Sequence, residues 1–397
     1  MTHTRPTDSF VHRLLLIVLS PLVFVVLAEI TVRVLPIDTD LARNENFEVA
    51  VPAWLLADPV WVGDWQARIA RRSVRAADVA WFSHFEEARY IQYKLKPRVD
   101  AHAVNPLNEI DVARGFTFHL TSNADGFRTH EFTPKPPGVT RVVTLGDSST
   151  FGWGVDPDYT FQALLTDRLR HRRAEVFNLG IPGHTSRHGR GVLEHYALDL
   201  EPDLLVISFG ANDGREAPQT AQDMLAVDET WLGAVKNGLL HLESAKLLRR
   251  TILSVYDPFQ AAPLDRSAFV TVVDDQTYQD NLRWMIATGR ERGAESLLLA
   301  VCTQEGRYVR RMRELADRMR VPFIDVNDLF VNALEDLRAG RIYPEEVGFH
   351  RDNYGDAEMA ANWRLFVTSD GCHPNRAGHS LIAEAIAQAI ASIPGRD

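Results

Sequence analysis

The chain has 397 residues, of which 45% are hydrophobic and 24% are charged, a composition typical of globular proteins and unlike that of disordered or collagen-like chains. With 43 Lys and Arg against 53 Asp and Glu the net charge is −10, so we expect no broad basic surface for nucleic acid. The two cysteines, Cys302 and Cys372, allow at most one disulfide, which excludes a fold held by a disulfide framework.

The first predicted element is an apolar helix near the N-terminus. Residues 14–35 form a 22-residue stretch that begins LLLIVLSPLVFVVLA, and about 33 Å of helix is enough to cross a bilayer. Arg5 and Arg13 precede it, so the positive-inside rule places the N-terminus in the cytoplasm and the rest of the chain outside. We predict a cytoplasmic tail and membrane anchor over residues 1–36. A signal peptide cleaved near Ala28 and a buried core helix are the alternatives.

Residues 37–138 repeat no later segment and form a predicted N-terminal accessory region. This region contains half of the eight tryptophans, and we expect them to pack in an accessory layer rather than to form a binding platform: Trp54, Trp61, Trp65 and Trp81. The sequence FTFHLTSNADGFRTHEF predicts a short strand, a turn at residues 123–126 and a second extended piece. The proline-rich stretch at residues 134–138 then predicts a domain boundary.

Beyond this boundary, short apolar strands alternate with amphipathic helices. Such an alternation predicts βαβ units and a parallel sheet covered by helices on both faces. The predicted strands are 141–146, 175–179, 204–209, 296–302 and 322–326. The predicted helices are 159–171, 189–200, 278–292, 308–320 and 376–393.

Two intervals break this alternation. About sixty residues separate Gly214 from the next predicted helix, which is too long for an ordinary connection and predicts an insertion or lid over residues 215–276. Residues 341–366 form a second excursion that is rich in aromatic side chains. Both could shape a substrate site or could be structural only.

Residues suited to nucleophilic catalysis follow the predicted strands. In a parallel α/β sheet, ligands bind beyond the carboxyl ends of the strands, so these positions are candidates for a common site. The segments are GDSST at 146–150, NLGIPG at 178–183, GANDG at 210–214 and, near the C-terminus, DGCHPN at 370–375.

Acyl transfer requires a nucleophile, a base, a group that orients the base, and donors for the oxyanion. Ser148 is the candidate nucleophile and His373 the candidate base, while Asp370 could orient the imidazole as in a catalytic triad. The backbone N–H groups of Ser148 and Gly180 and the side-chain amide of Asn212 are the candidate oxyanion donors. No third ligand is spaced for zinc near His184 and His188, and no phosphate loop is present, so we predict no metal and no cofactor.

These four ordered segments resemble the SGNH, or GDSL, hydrolase family over about residues 139–397. The resemblance implies a flavodoxin-like α/β three-layer sandwich around a parallel sheet. It also implies that Ser148 is the nucleophile, Gly180 and Asn212 are oxyanion donors, His373 is the base and Asp370 is its orienting partner. The upstream SNADGFR and the helix ending AEITVRVL resemble membrane-anchored bacterial members of this family.

The chain departs from the family pattern at two places. The interval after GANDG is longer than in compact members, which leaves the substrate class open, and Cys372 stands where a small or aliphatic residue is common. A Cys302–Cys372 disulfide would fit an oxidising compartment, although both could remain free thiols.

The predicted protein is therefore a membrane-anchored, extracytoplasmic serine esterase whose substrate is an ester, either an acylated glycan or a lipid. It binds the membrane through its N-terminal helix and does not bind nucleic acid. An O-acyltransferase that uses the same serine on an envelope glycan is one alternative. A non-catalytic envelope-binding module is the other.

Overall fold

The computed structural model describes residues 6–37, 39, 41–42, 51–52, 81–105, 115–255, 267, 269–302, 306–354, 363–368 and 371–392. Helix α1 (Pro6–Val34) opens this part of the chain. Within the described residues, its segment Leu15–Val34 is the one helix long and apolar enough to cross a membrane, and only 6% of its apolar window is buried. That exposure contradicts the buried core helix considered above.

In the described residues before the main sheet there are three short antiparallel strand pairs. They are β1 (Leu41–Ala42) with β2 (Val51–Pro52), β3 (Phe85–Ala88) with β4 (Gln92–Leu95), and β5 (Asp100–Ala103) with β6 (Phe118–Thr121). The partner of β6 is thus the upstream strand β5. The predicted second extended piece, after the turn at residues 123–126, does not form a strand, since residues 127–133 contain none. Trp81 is buried against Trp153 and fits the predicted packing role. Trp54, Trp61 and Trp65 lie outside the described residues.

The main sheet has five parallel strands, each close to a predicted one. They are β7 (Thr140–Gly146), β8 (Ala174–Asn178), β9 (Leu204–Ser208), β12 (Glu295–Ala300) and β13 (Phe323–Asp325). Their spatial order is β13-β12-β9-β7-β8, and all neighbouring pairs are parallel. This is the flavodoxin-like order, so the predicted fold class is confirmed. The strand order reverses between β7 and β9, which is where such folds bind ligands.

Alternate side chains of the strands fill two apolar cores, one on each side of the sheet. On β7, Val143 and Leu145 face one core and Val142 faces the other. The first core also contains buried aromatic residues of the accessory region, among them Phe85 and Phe127. The described residues from Trp81 to Phe132 thus contribute to the core on one face of the sandwich.

Helices cover both faces. On the side of the accessory region lie α4 (Ser186–Val192), α8 (Asp275–Glu291) and α9 (Gly306–Met319), and on the opposite side lie α3 (Phe161–Arg168), α10 (Val326–Arg338) and α12 (Arg376–Ala391). The one-turn helix α2 (Ser148–Phe151) follows β7, and α11 (Pro344–Tyr354) lies in the second excursion. The helix predicted at 189–200 begins earlier, as α4, and continues as a π-turn and a 3₁₀-turn.

The long interval after β9 folds into short helices. It contains β10 (Glu216–Ala217), α5 (Ala221–Leu225), α6 (Trp231–Leu240), α7 (Glu243–Val255) and β11 (Val270–Thr271). Strands β10 and β11 pair antiparallel, with Glu216 opposite Thr271. The segment therefore leaves the sandwich and returns to it at one place.

Candidate active site

The candidate nucleophile lies in the tight turn between β7 and α2. Asp147 caps the helix by accepting a hydrogen bond from the backbone N–H of Ser149 at 2.9 Å. Ser148 is the first residue of the helix and is partly exposed, whereas Ser149 and Thr150 are buried. A Cβ atom at Gly146 would overlap Thr150, so only glycine allows this turn. The geometry presents the Ser148 hydroxyl and buries its neighbours.

The candidate base reaches the serine from the last loop before α12. His373 Nε2 lies 2.8 Å from Ser148 Oγ, although the two residues are 225 positions apart in the sequence. The imidazole is 4% exposed. Its loop is narrow, because the Thr368 N–H donates to the His373 carbonyl at 2.8 Å and Val367 bridges to Pro374. Asp370 lies outside the described residues.

A disulfide links this loop to the sheet. Cys302, just beyond β12, is bonded to Cys372, and their Cα atoms are 4.8 Å apart. The sequence left this pairing open. Because Cys372 immediately precedes His373, the bond ties the imidazole-bearing loop to a strand of the main sheet.

Gly180 and its loop lie against the nucleophile helix. A Cβ atom at Gly180 would lie 2.5 Å from the Phe151 nitrogen and 2.8 Å from the Thr150 carbonyl carbon. Asn178 connects the two segments, since its amide donates to the Phe151 carbonyl at 3.1 Å and its Oδ1 accepts from the Gly180 N–H at 3.0 Å. The candidate donor Gly180 N–H therefore already has an acceptor within its own loop.

Asn212 projects from the loop after β9 toward the same turn. Its side-chain amide donates to the His184 carbonyl at 3.1 Å and is 3.5 Å from Asp147 Oδ2. The structure thus brings four predicted residues, Ser148, Gly180, Asn212 and His373, to one end of the sheet around β7. Their convergence lies at the reversal of strand order, as expected for this topology.

Two buried carboxyl groups support the site, and sequence reasoning missed both roles. Burial raises the pKa of Asp147 to about 6, an effect opposed by the hydrogen bond from Ser149 and by nearby His373. Burial raises the pKa of Asp213 to about 7, opposed by hydrogen bonds from the hydroxyl and backbone N–H of Ser186. Asp213 thereby fixes the loop that carries Asn212 to the start of α4.

Arg128 is a further supporting residue. It is 5% exposed and donates to the carbonyls of Gly152 at 2.6 Å and Val155 at 2.6 Å, just after the nucleophile helix. Burial lowers its pKa to about 9. The turn that delivers it is fixed by Asn123, whose side chain accepts from the Phe127 N–H at 2.9 Å. The segment SNADGFR stood out in the sequence as a predicted turn. The spacing of its residues did not predict that it contacts the nucleophile loop.

The two histidines of the IPGHTSRH segment hold the hairpin β3–β4. Their rings stack with centroids 4.6 Å apart, and burial lowers the pKa of both. His184 Nε2 lies 3.1 Å from the Tyr93 carbonyl, and His188 Nε2 lies 3.1 Å from Gln92 Oε1. Within the described ranges no group of three metal-ligating side chains is present. These imidazoles are neutral packing elements beside the site.

Comparison with known proteins places the chain in one family. The model of the GDSL-like lipase/acylhydrolase family matches residues 144–381, more than half of the chain, whereas no curated protein gives a significant match.

Similar solved structures include the lipase/acylhydrolase from Enterococcus faecalis (19% identity, 63% of this chain and 95% of that one, TM-score 0.36). A GDSL-like lipase from Bacteroides thetaiotaomicron is 15% identical over 63% of this chain and 87% of that one, with a TM-score of 0.35. A catalytic mutant of an acetylxylan esterase from Geobacillus stearothermophilus is 14% identical over 65% of this chain and 96% of that one, with a TM-score of 0.37. On the family match, the chain belongs to the GDSL-like lipase/acylhydrolase family and is a serine ester hydrolase.

Proposed function

We propose that this ester hydrolase acts through an acyl-enzyme on Ser148, at a site held outside the cytoplasm by a membrane anchor. The observation that carries the proposal is the 2.8 Å distance between His373 Nε2 and Ser148 Oγ. That distance is short enough for the imidazole to take the hydroxyl proton as the serine attacks a carbonyl carbon.

The proposed reaction has two halves. Ser148 Oγ attacks the ester carbonyl while His373 accepts its proton, and the tetrahedral intermediate collapses as the protonated imidazole returns that proton to the leaving alcohol. Water then attacks the acyl-serine with His373 as base, and collapse releases the carboxylic acid and restores the serine. In this scheme Asp370 orients the imidazole.

Three donors are proposed for the oxyanion. Ser148 N–H is the first in its helix and therefore has no intrahelical acceptor. The Asn212 amide lies on the neighbouring loop. It donates to the His184 carbonyl at 3.1 Å, and its second contact, with Asp147 Oδ2, is a weak one at 3.5 Å that the oxyanion would replace. Gly180 N–H would have to share or release Asn178 Oδ1 when the oxyanion forms. Loss of one such donor typically lowers turnover by about 10²–10³.

The proposed substrate is an ester whose acyl group is carried by a glycan or a lipid. An acyltransferase would share the acylation half and differ only in passing the acyl group to an alcohol. Product analysis with an acetyl ester, with and without a sugar acceptor, distinguishes the two, because hydrolysis yields free acetate in both mixtures and transfer yields an acetylated sugar. A non-catalytic binding module would produce neither.

The extracytoplasmic placement is supported by two features. Helix α1 is long, apolar and exposed, and the Cys302–Cys372 bond is of a kind that persists in oxidising compartments. Mass spectrometry of the mature protein is expected to find an N-terminus upstream of the apolar helix. A mature N-terminus at Glu29 would instead indicate a cleaved signal peptide.

We also propose the division of the chain into 1–36, 37–138 and 139–397, with an insertion at 215–276. Support for the insertion comes from the pairing of β10 with β11 at its base. Support for the boundary near residue 138 comes from the start of β7 at Thr140.

The catalytic proposal is tested by comparing Ser148→Ala with Ser149→Ala on a small acetyl ester. Ser149 is the adjacent residue of the same type, but its side chain is buried. We expect Ser148→Ala to lose at least about 10³-fold in kcat, since the nucleophile is gone, and Ser149→Ala to retain activity. Full activity in Ser148→Ala would exclude the proposed mechanism.

A further inference from the structure

Exposed apolar side chains are concentrated on the insertion. Among the described residues beyond α1 and its adjoining turn, most of the large apolar side chains that are exposed belong to residues 215–276. They are Val227 (50%), Trp231 (74%), Leu232 (52%), Val235 (49%), Leu239 (50%), Leu248 (62%), Ile252 (59%) and Val270 (42%). We call the part on α6 and α7 the α6–α7 apolar surface: Trp231, Leu232, Val235, Leu239, Leu248 and Ile252. Exposed apolar side chains concentrated on two adjoining helices usually mark an interaction site.

Helix α6 exposes its apolar face to solvent, whereas an ordinary surface helix buries that face. Trp231, Val235 and Leu239 follow at four-residue spacing, so they share one face, and that face points to solvent. Lys236 instead reaches the protein, where its ammonium pairs with Glu87 at 2.8 Å and with Asp228 at 3.2 Å. A helix that pairs its lysine with the protein and leaves its apolar face exposed favours an apolar environment outside the protein.

The insertion is bonded to the C-terminal part of α1. The Glu29 carboxylate accepts hydrogen bonds from the backbone N–H groups of Glu243 at 3.0 Å and Ser244 at 2.9 Å, the first residues of α7. Arg33 donates to the His241 carbonyl at 3.2 Å, in the turn between α6 and α7. The corner between the two insertion helices therefore lies at the end of the apolar helix, where a membrane-spanning segment would leave the bilayer.

We infer that the α6–α7 apolar surface is embedded in the interfacial region of the same bilayer that holds α1. The inference rests on the proposed membrane anchor. We infer that lipid covers this surface, because the surface adjoins the membrane end of α1. It also begins with the exposed Trp231, and tryptophan is enriched at the level of the lipid headgroups. An interfacial pair of helices beside a single spanning helix would fix the tilt of the catalytic domain on the membrane.

Contacts lead from the insertion to the catalytic loops. Glu87 of β3 is paired with Lys236 and also with Arg249 of α7. On the same hairpin, the Tyr93 hydroxyl donates to the Pro182 carbonyl at 2.7 Å, two residues beyond Gly180. The hairpin β3–β4 thus connects the α6–α7 apolar surface to the proposed oxyanion loop. Embedding that surface in the bilayer would therefore fix the distance of the active site from the membrane.

The test measures membrane depth by spin labelling of the full-length protein in vesicles of phosphatidylcholine and phosphatidylglycerol. Because Cys302 and Cys372 are bonded to each other, an introduced cysteine can be labelled selectively. The test variants are Val235→Cys and Leu248→Cys. The matched control is Val331→Cys on α10 of the sandwich, whose native exposure of 53% lies between those of Val235 (49%) and Leu248 (62%). We expect the ratio of oxygen to nickel-chelate collisions to be several-fold higher at 235 and 248 than at 331.

A fourth variant, Phe24→Cys in α1, separates this inference from the anchor on which it rests. If the label at 24 lies in lipid while those at 235 and 248 match the control, the inference is wrong and the anchor stands. If the label at 24 is also in water, both fall. Poor access of both reagents to 235 and 248 would indicate a protein partner and would overturn the inference. Ester hydrolysis by the same preparations reports separately on the catalytic proposal.

Discussion

Because glycine has no side chain, the glycines of the site allow its loops to approach one another closely. At Gly180 a methyl group would meet the backbone of α2 at 2.5 Å, a distance that backbone atoms cannot relieve without moving. We expect Gly180→Ala to displace the nucleophile helix, to lower kcat by at least about tenfold and to cost about 1–3 kcal/mol of unfolding free energy. Steady-state kinetics and urea unfolding measure both effects.

The matched control is Gly238→Ala. Gly238 lies inside α6, and a Cβ atom there has nothing within 4 Å. Alanine should therefore leave kcat unchanged and raise the unfolding free energy by up to about 1 kcal/mol through its better helix propensity. Equal behaviour of the two variants would show that the close approach at Gly180 has no role.

The buried carboxyl of Asp213 predicts a pH dependence of stability. Its pKa rises from the ordinary value of 3.8 to about 7 in the folded protein, so the folded state keeps a proton that the unfolded state loses above pH 4. The associated stability is present below pH 4 and is lost as the pH rises to 7, at about 1.4 kcal/mol per unit. Asp213→Asn removes this titration. Between pH 4 and 7, the wild type should lose up to about 4 kcal/mol relative to the variant in urea unfolding.

Parallel stability profiles of the wild type and Asp213→Asn would contradict this account of Asp213. The raised pKa of Asp147 acts in the same direction between pH 4 and 6. Asp147 is present in both proteins and its charge also helps to raise the pKa of Asp213, so the difference between them reports Asp213 together with its interaction with Asp147.

The convergence of the candidate residues was predictable where chemistry and strand position coincide, while their catalytic roles stay predictions. Ser148, Gly180 and Asn212 follow strands and His373 lies in a late loop, and the parallel sheet brings such positions together. Arg128 and Asp213 were not predictable in their supporting roles, because each depends on a contact with a distant segment. Arg128 reaches carbonyls 24 and 27 positions away, and Asp213 reaches a backbone N–H 27 positions away.

At the scale of elements, the five central strands were predictable because each contains a short apolar run between helical segments. The inner strands β7, β9 and β12 are buried on both faces, whereas the edge strand β13 is only half-buried. Helix α10 was missed, although Asp325 caps it and Val326, Phe330 and Leu334 repeat at helical spacing. The short strand before it, β13, draws on the same residues, so the strand prediction extended into the helix. Boundaries between a short strand and an adjoining helix depend on sheet pairing that sequence spacing alone does not reveal.

The disulfide joins two elements and predicts a measurable coupling between stability and catalysis. The double variant Cys302→Ser/Cys372→Ser releases a closed segment of 70 residues. We expect it to lose about 2–5 kcal/mol of unfolding free energy and to lower kcat, since the loop of His373 is no longer held to β12. Thermal unfolding and ester hydrolysis measure the two changes.

Reductant provides the control for the disulfide prediction. Dithiothreitol should lower the midpoint of thermal unfolding of the wild type and leave that of the double variant unchanged. A wild type whose unfolding and activity do not respond to full reduction would show that the bond is not needed to hold the loop.

At the scale of the whole molecule, the net negative charge does not exclude association with a membrane. Such association depends on local surfaces rather than on the average composition. The sequence predicted the apolar helix α1 from the length and apolar composition of residues 14–35 and from the basic residues before them. It did not predict the outward apolar face of α6, since spacing tells which residues share a face but not toward what the face points. That direction follows the ion pairs of Lys236, which joins Glu87 of the distant hairpin β3–β4 and Asp228 of the insertion itself.

The central claim is that Ser148 is the nucleophile activated by His373, and mapping of a covalent adduct tests it most directly. The full-length protein is treated with a fluorophosphonate, digested, and the modified peptide is sequenced by mass spectrometry. We predict one adduct, on Ser148, formed by the wild type and by Ser149→Ala and lost in His373→Ala, which retains the hydroxyl but lacks the base. Absence of an adduct on Ser148 in the wild type, or equal labelling of His373→Ala, would contradict the claim.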